Sequence, residues 1–314
     1  MYRHMLRSRV LDERMWVLNR QGVAPFWISG MGHEAIQVAV GMNMVPRKDW
    51  LAPYYRDLAL TLVLGMTPRD HLLSVLAKAE DPNSGGRQMP AHYGSRAHNI
   101  ISTGSPVTTQ LLHATGIALA MRMRGEDAVC VTAMGEGSTS GGDFHEALNF
   151  AATHKLGVVF VVENNGYAIS VPVEKQMATP NVSDRAIAYG IPGISVDGND
   201  AIACYRVALD AVQRARSGKG PTLLEAKVHR LTSHSSDDDQ RRYRSSEVLE
   251  AERLQDCLPR FRGMLEDLGV LAPGDADSMR TELVVELDEA TSYAEQAPTP
   301  LAETAMLHVH GEEI

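Results

Sequence analysis

The sequence is short of the features that mark several large protein classes. Only three of its 314 residues are cysteine, Cys130, Cys204 and Cys257. They are widely spaced, odd in number and outside any CxxC pattern, so neither a disulfide framework nor a structural zinc site is expected, and a reducing cytoplasm suits them. Positive charge is scarce as well. The 30 Lys and Arg against 39 Asp and Glu give a net charge of −9, with no basic stripe to draw a nucleic acid. The most apolar window, LALTLVLGM at 58–66, is far shorter than the roughly 18 residues of a membrane span, so no span is expected. The opening MYRHMLRSRVLDERMWVLNRQG carries Asp12 and Glu13 and has no apolar core or small-residue cleavage site, so it reads as a helix and not as a signal peptide. No internal repeat occurs, and no GxGxxG opens a strand–turn–helix unit, which removes support for a dinucleotide-dependent oxidoreductase.

What is present points to an α/β protein. With 44% hydrophobic residues the chain has enough apolar surface for a sizeable core. DAVCVTAM (127–134), LGVVFVVE (156–163) and PTLLEAKVHRL (221–231) read as strands. The second is almost continuously hydrophobic, as a strand covered on both faces must be, which implies a parallel sheet with helices on both sides. Between the first two lies STSGGDFHEALNFAATHK, where Phe144, Ala147, Leu148 and Ala151 recur at helical spacing behind a polar start, so this segment is a crossover helix. Further helices are expected over 108–124 and 245–270. With no long linker, residues 1–314 read as a single α/β domain with helical extensions at both ends.

The chemistry lies where two of these strands stop. GEG (135–137) follows the first strand and NNGY (164–167) the second. In parallel α/β sheets ligands bind beyond the carboxyl ends of the strands, so Glu136 and Asn165 are expected to face one crevice. A carboxylate oxygen and an amide oxygen, with a backbone carbonyl from the next turn, form half an octahedral oxygen shell suited to magnesium, which takes its other ligands from phosphates and water. A diphosphate is the matching ligand. Gly135 and Gly137 let backbone approach it, and the crossover helix begins just afterwards with its N-terminal N–H groups free. Either motif alone is an ordinary turn sequence. His145 and Glu146 suggest an HExxH zinc site, but Asn149 stands where the second histidine is needed, and that reading fails.

GEG followed by NN resembles the thiamine diphosphate motif, and GGDFHEALNFAA and ENNGYAIS are similar to the alpha subunit of 2-oxo acid dehydrogenase decarboxylases. FWISGMGHEAIQVAVG (26–41), YYRDLAL (54–60), GRQMPAHYG (86–94), ISTGSPVTTQ (101–110) and SHSSDDDQRRYRS (233–245) resemble successive blocks of that family in the same order, over about residues 1–250. The resemblance is strongest to the branched-chain type. It implies the thiamine diphosphate-binding fold, with Glu136, Asn165 and the carbonyl of Tyr167 holding magnesium. Arg56, the Gly137–Ser138 backbone and His234 would surround the diphosphate, with Tyr55 close by and the backbone at Ser105 and Val107 against the aminopyrimidine.

The implied activity is oxidative decarboxylation of a branched-chain 2-oxo acid of the 2-oxoisovalerate type, with acyl transfer to the lipoyl group of a partner acyltransferase. His234 is the implied catalytic residue. The chain would be the alpha subunit of an α2β2 enzyme whose beta subunit supplies the carboxylate that activates the cofactor. A pyruvate or acetoin dehydrogenase alpha subunit is the alternative. A catalytically silent scaffold of the same fold is another, opposed by the joint retention of Arg56, Glu136, Asn165 and His234. Glu163 departs from relatives that carry a phosphate-reaching arginine there, which leaves Arg56 with more of the charge balance. His33 and His92 fit structural and functional roles equally. The charged segment 232–245 has little apolar surface to fix it, and pairs among Asp237, Asp238, Asp239, Arg241, Arg242 and Arg244 are expected to lock it once a cofactor places His234.

Overall fold

A computed structural model of the chain describes residues 1–307. Its seven strands are β1 (Trp50–Ala52), β2 (Cys130–Gly135), β3 (Val158–Asn164), β4 (Tyr167–Ala168), β5 (Val171–Pro172), β6 (Gly193–Asp197) and β7 (Thr222–Lys227). Five of them form a wholly parallel sheet in the order β1-β2-β3-β7-β6, while β4 and β5 make a small antiparallel hairpin. Every residue of β3 is buried, which is what its unbroken apolar run requires. Alternate residues serve opposite faces. Val158, Phe160 and Val162 join one apolar cluster, and Val159 and Val161 the other.

Ten helices cover these faces and extend the ends of the chain. They are α1 (Tyr2–Arg20), α2 (Glu34–Asn43), α3 (Leu58–Val63), α4 (Pro68–Val75), α5 (Thr109–Met123), α6 (Gly142–Thr153), α7 (Ala201–Arg216), α8 (Ser246–Arg253), α9 (Cys257–Asp267) and α10 (Asp275–Gln296). On one face α5 and α6 bury Leu111, Ala114, Phe144, Ala147 and Leu148 against Phe160 and Val162. On the other, α1, α2 and α7 pack over Val159, Val161 and Leu224. The two terminal helices run together, tied by ion pairs from Arg3, Arg7 and Arg14 to Glu282, Glu286 and Asp288. Among the described residues no helix is long and apolar enough to cross a membrane, and all three cysteines are buried and free.

The parallel sheet and the crossover helix agree with the sequence reading, and three boundaries differ. The helix expected over 245–270 is two helices broken at 254–256, because Asp256 leaves the helical path to cap Leu258 N and to bind the Arg9 guanidinium at 2.7 and 2.9 Å. The strand expected over 221–231 stops at Lys227, and 228–231 continue as irregular chain. The crossover helix does not begin directly after GEG. A 3₁₀ turn, Glu136–Ser140, and Gly141 come first.

Candidate active site

Glu136 and Asn165 meet because β2 and β3 are neighbours in register, with Gly135 opposite Glu163. The Asn165 N–H donates to Glu136 Oε2 at 3.2 Å, and Tyr167 N–H donates to Asn165 Oδ1 at 3.2 Å. Glu136 is only 2% exposed, and its Oε1 has no hydrogen-bond partner among the described residues. Burial raises its carboxyl above the usual range, against the pull of the nearby N–H groups, Arg230 and Arg56. A buried carboxylate oxygen left unpaired is costly, and a hard cation beside it removes that cost. Asn165 and Tyr167 line the same cavity, and with an amide oxygen and a backbone carbonyl from them the donor set would be all oxygen, as magnesium prefers. The residues present therefore fit the metal.

The glycines differ in their reasons. A Cβ on Gly137 would stand 2.5 Å from Ala168 Cβ, so only glycine lets the 3₁₀ turn lie against the β4–β5 hairpin. Gly135 has open space where its Cβ would be, and that space is the cavity itself. Gly166, at φ +81°, completes an Asx turn in which its N–H donates to Asn164 Oδ1 at 3.0 Å. NNG is thus both a turn and a site element.

Two buried arginines give the site its charge. Arg56 is 2% exposed; its Nη1 donates to the Ser29 carbonyl, and its Nη2 lies 3.3 Å from His234 O and 3.4 Å from His234 Nδ1. The Ser29 segment is fixed by Asp12 of α1, which accepts from Trp27 Nε1, Ser29 Oγ and Gly30 N at 2.7–3.0 Å. Arg230, 1% exposed, donates from Nη2 to Ile169 O at 2.9 Å and to Tyr243 OH at 2.8 Å, while its Nε and Nη1 have no partner. Among the described residues neither arginine pairs with a carboxylate within ion-pair distance. Burial, and then Arg56, pull the Arg230 guanidinium down to about 10. Burial, Arg56 and Arg230 together push His234 down to about 4. Such a cluster is completed by an anion.

All ten residues named from the sequence line one cavity of about 540 Å³: Tyr55, Arg56, Ser105, Val107, Glu136, Gly137, Ser138, Asn165, Tyr167 and His234. Its polar end holds Glu136, Asn165, Arg56 and His234, and Phe26, Ile28, Met89 and Ile169 supply an apolar wall. His92 also lines it. The His92 Nδ1 lies 3.1 Å from the Met89 and Pro90 carbonyls and so carries the proton, leaving Nε2 to accept from Ser105 Oγ at 2.7 Å. One non-glycine residue lining the cavity, Ile169 (φ +57°), holds positive φ, a strain that concentrates at ligand sites.

Segment 232–245 is held mainly by polar contacts to its surroundings. Ser236 and Trp27 exchange two hydrogen bonds, at 2.9 and 3.1 Å, and Asp238 accepts from the His234 N–H and from Tyr243 OH. Of the six charges expected to pair among themselves, only Asp239 and Arg241 do so, at 2.8 Å, and Arg244 pairs instead with Glu252 of α8. Arg230 was missed in the sequence. It lies outside the cavity lining but near enough to act on Glu136 and His234, because β7 lies beside β3, so that Val228 N–H donates to Asn164 O at 2.9 Å, a neighbourhood that no local pattern reveals. Glu163 and His33, left open by the sequence, bond to each other at 2.6 Å and do not line the cavity.

Known proteins resemble this chain closely in sequence. The chain is 49% identical over 312 residues to the 2-oxoisovalerate dehydrogenase subunit alpha of Bacillus subtilis, covering 99% of this chain and 94% of that protein. It is 42% identical over 270 residues to the 3-methyl-2-oxobutanoate dehydrogenase subunit alpha of Mycobacterium tuberculosis, covering 86% and 71%. The pyruvate dehydrogenase E1 component subunit alpha of Bacillus cereus is 36% identical over 304 residues, covering 94% and 77%. The model of the dehydrogenase E1 component family matches residues 2–303, and the chain belongs to that family.

Proposed function

We propose that this chain is the alpha subunit of a thiamine diphosphate-dependent enzyme that oxidatively decarboxylates a branched-chain 2-oxo acid of the 2-oxoisovalerate type and passes the acyl group to a lipoyl-bearing acyltransferase. The observation that carries the cofactor reading is the unpartnered, buried Oε1 of Glu136 facing a cavity that Arg56 makes cationic. A silent scaffold would have no use for it. The branched-chain substrate rests on the 49% and 42% identities to proteins named for it, against 36% to one named for pyruvate.

In this reading Glu136, Asn165 and the Tyr167 carbonyl hold magnesium. Arg56, His234 and the Gly137–Ser138 backbone hold the diphosphate, with Tyr55 beside them and Arg230 as supporting charge. Ser105 and Val107 border the aminopyrimidine. Bound thiamine diphosphate would supply a nucleophilic carbon for the keto group and an electron sink for the electrons left when carbon dioxide departs. His234 is neutral at physiological pH. Because a guanidinium offers no acceptor, the Nδ1 facing Arg56 is the unprotonated nitrogen, and the proton sits on Nε2, available to an oxygen of substrate or acyl group. The apolar wall of Phe26, Ile28, Met89 and Ile169 excludes water around it.

Among the described residues no carboxylate other than Glu136 lines the cavity, which supports a beta subunit in an α2β2 enzyme as the source of the group that activates the cofactor. Residues 1–314 act as one cofactor-binding unit, and the three free, buried thiols support a cytoplasmic location. The test is carbon dioxide release by the chain purified with its accompanying subunits, on 2-oxoisovalerate, pyruvate and acetoin in parallel. A higher kcat/KM on 2-oxoisovalerate supports the proposal. Preference for either of the others overturns the substrate, and no release from any overturns the enzyme.

A further inference from the structure

Glu163 is fully enclosed between the two arms of the proposed site and belongs to neither. It is the penultimate residue of β3, two positions before Asn165, and is 1% exposed. A single oxygen, Oε2, accepts from His33 Nδ1 at 2.6 Å, Tyr54 OH at 2.9 Å and Gln37 Nε2 at 3.0 Å. Gln37 Nε2 donates also to the carbonyl of Arg56 at 3.1 Å, and Gln37 Oε1 accepts from Ala59 N–H at 3.0 Å. Residues 54–59, which carry Arg56, are therefore fixed at the Tyr54 side chain and at the Arg56 backbone, both times through the same carboxylate oxygen or the amide bound to it. The strand end is fixed independently, by the register of Asn164 against Lys227.

We infer that Glu163 is a positioning residue: it sets the spacing between the Arg56 arm and the Asn165 arm of the site. A buried carboxylate with three donors on one oxygen tolerates little displacement of any of them, since each lost bond leaves an unpaired polar group in the core. The inference rests on the proposed cofactor reading, because only a ligand that touches metal and phosphate together needs both arms at one spacing.

The test compares two probes on the full chain, purified with its accompanying subunits. Magnesium with thiamine diphosphate engages both arms, and metal-free inorganic pyrophosphate engages the Arg56 arm alone. Glu163→Gln is expected to weaken the first by about tenfold or more and the second by less than about threefold, since misplacing one arm penalises only the ligand that spans both. Tyr54→Phe removes a single donor. It should show the same split with a smaller loss and a nearly unchanged melting temperature, and it decides the matter if Glu163→Gln does not fold. Equal losses for both probes mean general damage and overturn the inference, as does the absence of loss in both variants. A wild-type protein that binds no thiamine diphosphate overturns the proposed function itself, whereas normal wild-type binding with no split in the variants overturns the positioning role alone.

Discussion

The Asn165 N–H reaches one carboxylate oxygen of Glu136 at 3.2 Å, and the other oxygen of Glu136, also buried, has no partner among the described residues. The pair is preformed on its protein side and incomplete on its cavity side. Glu136→Gln should reduce affinity for magnesium–thiamine diphosphate by about a hundredfold, because it removes the only charged protein ligand from the proposed metal shell. It should not unfold the chain. Burial raises the Glu136 carboxyl, so its contribution to stability is fully present below the unfolded value of 4.5 and is lost as pH rises through the folded one. The ligand-free variant should accordingly melt at least as high as wild type at pH 7. Calorimetric titration and thermal melting check the two parts.

His234, held near 4 by burial and by Arg56 and Arg230, should rise when an anion neutralises those two charges. Diphosphate binding should therefore take up protons between about pH 4 and 6.5, and affinity should increase on acidification through that window. Titration in buffers of different ionisation enthalpy measures the uptake. In His234→Gln it should vanish, with much of the binding retained.

Gly137 and Ala168 test the contact between the 3₁₀ turn and the hairpin. Gly137→Ala puts a Cβ 2.5 Å from that of Ala168, which should displace the Tyr167 carbonyl, weaken cofactor binding and cost about 1–3 kcal/mol. Adding Ala168→Gly removes the clash. The double variant should regain a substantial part of both losses, as measured by denaturant unfolding and titration.

A separate pH effect belongs to His71 in α4. Its ring packs edge-on against Tyr93 with centroids 5.4 Å apart and meets Thr61 Oγ1 at 3.3 Å, and burial lowers it to about 4. A histidine lowered in the folded state contributes stability that is present above its unfolded value of 6.5 and lost as pH falls toward the folded one. Between pH 7 and 4 wild type should lose about 3 kcal/mol more than His71→Gln. Urea melts across that range give the comparison.

Much of this was legible in the sequence because the central elements are locally determined. β3 shows itself by an apolar run long enough only for a buried strand, and α6 by four apolar residues at helical spacing. The ten site residues came from motif order, and they share one cavity. What stayed hidden depends on distant partners. The break between α8 and α9 is set by Arg9, 247 positions from Asp256, and β1, three residues long, exists because β2 pairs with it. β6 alternates between exposed and half-buried positions at the sheet edge and carries no strong apolar run. Arg230 comes close enough to act on Glu136 and His234 only once β7 lies against β3. Glu163 could be read as a departure from an arginine, but its three donors come from α2, from the residue that precedes that helix and from the turn before α3.

The most direct measurement is a crystal structure of the chain with its accompanying subunits, grown with thiamine diphosphate and with manganese in place of magnesium, using the anomalous signal to locate the metal. The account predicts one peak at about 2.0–2.2 Å from a Glu136 carboxylate oxygen, Asn165 Oδ1 and the Tyr167 carbonyl, with the diphosphate between that ion and Arg56. A metal bound elsewhere, or a diphosphate that does not touch Arg56, would contradict it.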